Sequence, residues 1–140
     1  MEVDKDCVYG PRMIKTYLDR HTVGRFQEIG ISVAEAQFLG MIRVNDGLSM
    51  RELSEKVAVD KAHTTRTVQV LMDKGLVANQ GQGHMYRLSL TEKGTETALQ
   101  ARAIINEAWN SLLRDLTPEE NEALISILRK MSRVIREDLA

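Results

Sequence analysis

SMRELSEKVAVDKAHTTRTVQVLMDKG, residues 49–75, reads as two short helices joined by a tight turn. Ser49-Met50-Arg51-Glu52 is a capping box: the serine hydroxyl accepts the amide of Glu52 while the glutamate side chain returns to Ser49. Met50, Leu53 and Val57 then make the buried stripe of a first short helix. Val59-Asp60 breaks it, and Asp60 suits the N-cap of a second helix. That helix runs to Lys74 and stops at Gly75, where a left-handed terminator is expected.

Beyond Gly75 the period changes. Leu76 to Asn79, a turn-rich Gln80-Gly81-Gln82-Gly83, and then Met85 to Leu90 with Tyr86, Leu88 and Leu90 alternating predict a small β-hairpin. Thr91 caps a long helix expected to reach about Leu116. Thr117-Pro118-Glu119-Glu120 is a further capping box with proline at the first helical position. It opens a last helix with Leu124, Ile127, Leu128, Met131, Val134, Ile135 and Leu139 at three-four spacing. On the N-terminal side, Met13 to Phe26 carries a loose helical stripe weakened by Gly24 and Gly30. A second helix follows Ser32, shows Phe38, Met41 and Ile42 on one face, and ends near Asn45-Asp46-Gly47. The fold class predicted is mainly α with a small β-hairpin. A winged helix-turn-helix (32–94) lies between an N-terminal dimerisation helix (1–31) and two C-terminal ones (95–140).

Composition narrows the class further. The 140 residues hold 19 Lys+Arg against 20 Asp+Glu, 43% hydrophobic residues and a single cysteine, Cys7. No stretch approaches the roughly 18 apolar residues of a membrane span. The acidic N-terminus lacks a signal core, and one cysteine makes no internal disulfide, so a cytoplasmic protein is expected. A net charge of −1 excludes a uniformly basic coat, so any nucleic-acid contact must come from a local patch. Residues 49–94 carry seven Lys/Arg and five Asp/Glu, a balance of +2, against −1 for 1–48 and −2 for 95–140.

At about 100° per residue, Thr64, Thr65, Val68, Leu71 and Met72 share the core side of the second short helix. His63, Arg66, Val70 and Asp73 lie opposite, flanked by Ala62 and Gln69. Arg66 can bridge guanine O6 and N7, and Gln69 can pair with adenine. Lys61, Thr64 and the free amides of the first turn suit phosphate oxygens. The same residue types solvate many surface helices. The helix pair followed by a hairpin is what weighs towards DNA. Catalysis finds no footing: His21, His63 and His84 are far apart, no ligand cluster suggests a metal, and no Gly-rich loop follows a strand. No cofactor is expected.

Met50-Arg51-Glu52-Leu53-Ser54-Glu55-Lys56-Val57, Asp60 to Val68, Leu71-Met72-Asp73-Lys74-Gly75-Leu76-Val77 and Leu88-Ser89-Leu90-Thr91-Glu92-Lys93-Gly94, in this order, resemble the MarR/SlyA family of transcription regulators. The resemblance covers about residues 8 to 139. It implies an obligate homodimer with interleaved first and last two helices, and the apolar surplus of Ile104, Ile105, Ala108, Trp109, Leu112 and Leu113 agrees. Trp109, Leu112, Leu128, Met131 and Ile135 are the interface residues expected. The resemblance also implies base contacts near Ala62, His63 and Arg66, His63 standing where a small hydroxyl residue is more usual. The residues expected to meet double-stranded DNA are Ser49, Lys61, Ala62, His63, Thr64, Thr65, Arg66 and Gln69, with His84 and Arg87 from the hairpin.

The family's wing usually carries an Asp-x-Arg pair that inserts arginine into the minor groove. Counting back from Leu90-Thr91, those positions hold Gln82 and His84, and the hairpin is about three residues short. Weaker or less selective binding than in relatives with the full wing is expected. Relatives often release DNA on binding a small aromatic effector, for which Tyr17, His21 and Arg25, four residues apart on the first helix, are the candidate lining. The same three also suit a solvated or dimer-facing row. Cys7 falls near the sensing cysteine of the peroxide-responsive branch, but without the activating tyrosines it reads as an inert thiol. The function expected is a dimeric, sequence-specific regulator, a repressor, on a pseudo-palindromic operator. The alternative is a winged-helix dimer of anti-repressor type that acts through protein contacts.

Overall fold

Asp4, extended at φ −60° and ψ 147°, accepts the amide of Asp6 at 2.8 Å and starts α1, Lys5–Glu28. In the computed structural model, which describes residues 1–139, α1 begins eight residues before the expected Met13 and runs through Pro11. A proline there removes one intrahelical donor; the helix continues on both sides of it. Gly30, at φ +78°, ends the helix, with the Ile31 amide closing onto Phe26 C=O at 3.0 Å.

α2 (Val33–Val44) opens on a capping box of Ser32 and Glu35. α3 (Met50–Val57) opens on the expected box of Ser49 and Glu52, and Asp60 caps α4 (Lys61–Asp73) through the amide of His63 at 2.7 Å. The break between α3 and α4 begins one residue early, at Ala58, which takes the left-handed conformation (φ 57°). Gly75 is left-handed as expected (φ +74°), and the Leu76 amide closes onto Leu71 C=O at 2.9 Å.

β1 (Val77–Asn79) pairs antiparallel with β2 (Leu88–Leu90), Val77 opposite Leu90 and Asn79 opposite Leu88. A third short segment joins them: the Leu88 amide donates to Leu48 C=O at 2.7 Å, and the Gly47 amide to Leu88 C=O at 2.9 Å. α5 (Glu92–Leu112) stops four residues before the expected Leu116, where Leu113 to Leu116 form a turn. α6 (Pro118–Leu139) follows the capping box of Thr117 and Glu120.

One apolar core is shared by these elements. Phe26 comes from α1, Phe38, Leu39 and Ile42 from α2, Leu53 from α3, Val68 and Leu71 from α4, Leu88 from β2 and Ile104 from α5. α6 contributes nothing to it; none of its residues is buried. Ile104 faces this core and Ala108 is buried, which corrects the expectation that they belong to a surplus face of α5.

α5 approaches β1 closely at its first turn, where a Cβ on Gly94 would stand 1.9 Å from Leu76 O, a backbone atom. Gly94→Ala is therefore expected to push α5 off the hairpin and to cost roughly 1–3 kcal/mol, read as a lowered melting temperature.

Candidate nucleic-acid interface

α4 presents Ala62, Thr65, Arg66, Gln69 and Val70 to solvent, with Lys61 at its start. Its other side buries Thr64, Thr67, Val68 and Leu71. Two expectations need correction here. Thr65 is exposed, not part of the core face, and Thr67 takes that place. Thr64 is fully buried: its hydroxyl donates to Asp60 C=O at 2.9 Å and accepts from Ser54 at 2.7 Å, tying α3 to α4. It has no path to a phosphate.

The Arg66 side chain is exposed and has no hydrogen-bonded or ionic partner among the described residues, and the same holds for the Lys61 side chain. A guanidinium left free on the outer face of a helix-turn-helix is available for bidentate contact with a base edge or phosphate. Gln69 donates instead to Asp73 at 2.9 Å and must give up that bond to reach a base. Thr65 donates to Lys61 C=O at 2.9 Å. His63 is half-buried, its ring 5.9 Å from that of the buried Phe38, so it leans on α2 rather than standing clear of the helix. Ser49 accepts the Glu52 amide at 3.1 Å, and Arg51 beside it is paired with Glu55 at 3.1 Å.

The hairpin keeps one register from strands to tip, because Gln82 pairs with Met85 as Asn79 pairs with Leu88. The Met85 amide donates to Gln82 C=O at 3.0 Å, so the tip is Gly83-His84, with positive φ (+61°) at its first position only. That is the II′ pattern, which matches strand twist. Asn79 locks the base of this turn, its side-chain oxygen accepting the amides of Gly81 (2.8 Å) and Arg87 (3.0 Å). A Cβ at Gly81 would lie 1.7 Å from Met85 O, so only glycine fits. His84 is exposed at the tip. Arg87 is exposed before β2, its guanidinium near Gly47 of the α2–α3 turn, away from the tip. The wing is thus short and carries no arginine at its end.

Tyr17 and His21 line an open cleft of about 560 Å³ on α1 with Tyr9, Arg12, Met13, Thr16 and Arg20, and Arg25 lies outside it. The Tyr17 hydroxyl is bonded to Ser111 at 2.8 Å, its ring lies 4.3 Å from His21, and Arg25 pairs with Glu107 at 2.6 Å. Tyr17 and Arg25 thereby fasten α1 to α5. An apolar cleft of about 410 Å³ lies elsewhere, between α1, α2 and α5, lined by Ile14, Leu18, Phe26, Val33, Ile105 and Trp109. No spacing rule could have found it, since its walls come from three separated segments. Trp109 and Leu112 are half-buried within their own chain, whereas Leu128, Met131 and Ile135 are exposed.

Residues 29–84, from the end of α1 to the wing tip, match the model of the MarR family. The chain is 30% identical over 110 residues to the HTH-type transcriptional regulator BilQ of Clostridium symbiosum, covering 76% of each protein. Its fold resembles the crystal structure of the transcriptional regulator SlyA with a TM-score of 0.85 at 22% identity, over 96% of both chains. A Mycobacterium tuberculosis MarR family protein in complex with DNA superposes with a TM-score of 0.71 at 22% identity, over 93% of this chain and 98% of that one. With this likeness over most of its length, the chain belongs to the MarR family of DNA-binding transcriptional regulators.

Proposed function

We propose that this regulator is a homodimeric, sequence-specific repressor that acts by binding, with α4 of each protomer in successive major grooves of a pseudo-palindromic operator. Half-sites would lie about one helical turn apart. The observation that carries the reading is Arg66, exposed and unpaired among the described residues on the outward face of α4. Lys61, the first-turn amides of α4, Ser49 and Thr65 would hold phosphates, with Ala62, His63 and Gln69 beside the bases. His84 and Arg87 would add only modest contacts. The homodimer is supported by α6, whose Leu128, Met131 and Ile135 are exposed, and by Trp109 and Leu112 of α5, which are only half-buried. A small aromatic effector would enter the cleft beside Trp109 and shift the population of lobe arrangements, releasing DNA. The site of action would be the cytoplasm, with the DNA.

Fluorescence anisotropy on duplexes from upstream of the chain's own gene, against a scrambled duplex, tests this. Clear preference for one duplex is expected, and Arg66→Ala should cost roughly 1–3 kcal/mol on it and relax base choice. Specific binding that survives Arg66→Ala unaltered would sink the recognition-helix assignment. The absence of arginine from the wing tip favours one other reading, an anti-repressor that binds protein. Weak binding, equal on both duplexes, would support it.

A further inference from the structure

Lys74 is the C-cap of α4, and its ammonium is wholly committed to groups outside that helix. It donates to both carboxylate oxygens of Glu35, at 2.5 and 3.0 Å, and to Gly30 C=O at 2.9 Å. An ammonium has three donors, so none remains for phosphate. Gly30 is the left-handed terminator of α1, and Glu35 is the third residue of α2. The Glu35 side chain is 8% exposed, against 38% for Lys74, and also accepts the Ser32 amide at 3.3 Å. From the other side, Lys93 donates to Lys74 C=O at 3.3 Å and Thr91 to Gly75 C=O at 2.6 Å. The end of the recognition helix is therefore fastened to α1, to α2 and to the start of α5.

Apolar packing under Val68 and Leu71 resists separation of α4 from the core but is non-directional, and tolerates small rotations. An ion pair onto a buried carboxylate has fixed geometry, and such groups can select one arrangement even where they add little net stability. The leverage is large. Arg66 lies eight residues from Lys74, roughly 12 Å along the helix, so a tilt of about 5° at Lys74 moves Arg66 by about 1 Å. In a dimer, that displacement changes the separation of the two reading heads.

We propose that Lys74 is a positioning residue for DNA reading: held by Glu35 and Gly30, it fixes α4 against the α1/α5 frame and so sets the half-site spacing that the dimer accepts. The proposal rests on the reading of this chain as a dimer on paired half-sites. It makes a distinction that a purely stabilising ion pair does not. Loss of stability weakens binding to every sequence alike, whereas loss of positioning leaves the bases read by Arg66 unchanged and blurs the spacing.

Selection from a random-sequence duplex library, sequenced after enrichment, reads both properties at once. The full-length protein should enrich two half-sites at one dominant spacing. Lys74→Met and Glu35→Gln should enrich the same half-site bases, with the preference for that spacing over its neighbours reduced about threefold or more. Lys74→Arg, which keeps the charge and the donors, should restore the sharp spacing. Glu35→Gln leaves no uncompensated buried charge, and so keeps the test open if Lys74→Met does not fold. A sharp spacing retained by the folded variants, with only a lower melting temperature, would overturn the positioning role alone. A wild-type protein that enriches no paired half-sites would overturn the dimer reading and this proposal together.

Discussion

Replacing Leu128 and Ile135 together with aspartate is expected to turn the proposed dimer into monomers of 15.8 kDa and to abolish tight operator binding. The two side chains lie seven residues apart on one face of α6 and are 42% and 50% exposed. Ile127, Met131, Val134 and Leu139 widen that apolar face. Burying the rest of each such side chain is worth on the order of 1 kcal/mol. Four aspartates per dimer reverse the balance, because each uncompensated carboxylate taken out of water costs several kcal/mol. Joining two half-site contacts in one particle multiplies affinity by roughly 10²–10⁴, and the monomer forfeits that factor. Sedimentation velocity at micromolar protein would show the change of mass, and anisotropy the loss of binding. α6 shares no buried residue with the core, so helical content and the unfolding of the α1–α5 body should persist. An unchanged dimer with intact binding would place the interface on another face.

Local chemistry made much of this molecule legible before its fold was known. The capping boxes at Ser49 and Thr117, the caps at Asp60 and Thr91 and the left-handed Gly75 each act within four residues, and each stands where the sequence puts it. Limits set by competing local signals were missed. Pro11 argues against a helix that Asp4 nonetheless starts upstream of it, and the apolar pair Leu112-Leu113 continues a helical period that the backbone abandons. On α4, the outward Arg66 was legible, but an idealised wheel put Thr65 inside in place of Thr67 and left the buried Thr64 as a phosphate ligand. Tertiary juxtapositions had no signal at all. Glu35 and Lys74 are 39 residues apart, and the cleft beside Trp109 needs α1, α2 and α5 in place. Tyr17, His21 and Arg25 do share one helix face, and two of them, Tyr17 and Arg25, are held by α5.

Phe38→Ala is expected to destabilise the protein by about 3–5 kcal/mol, a large share of the roughly 5–15 kcal/mol that holds a domain folded. Phe38 is fully buried in α2, and its ring lies 5.9 Å from that of His63 in the first turn of α4. Urea unfolding should show a lower midpoint with an unchanged slope, measured at one protein concentration because dimerisation would contribute to stability. Phe38→Leu separates packing from placement. It fills most of the space and should cost under about 1.5 kcal/mol, but it removes the aromatic surface beneath His63. If that surface holds the first turn of α4 at the height from which Arg66 reads DNA, operator affinity falls in Phe38→Leu while the protein remains folded. If affinity is untouched, Phe38 serves the core alone, and the position of α4 is governed from its other end, at Lys74.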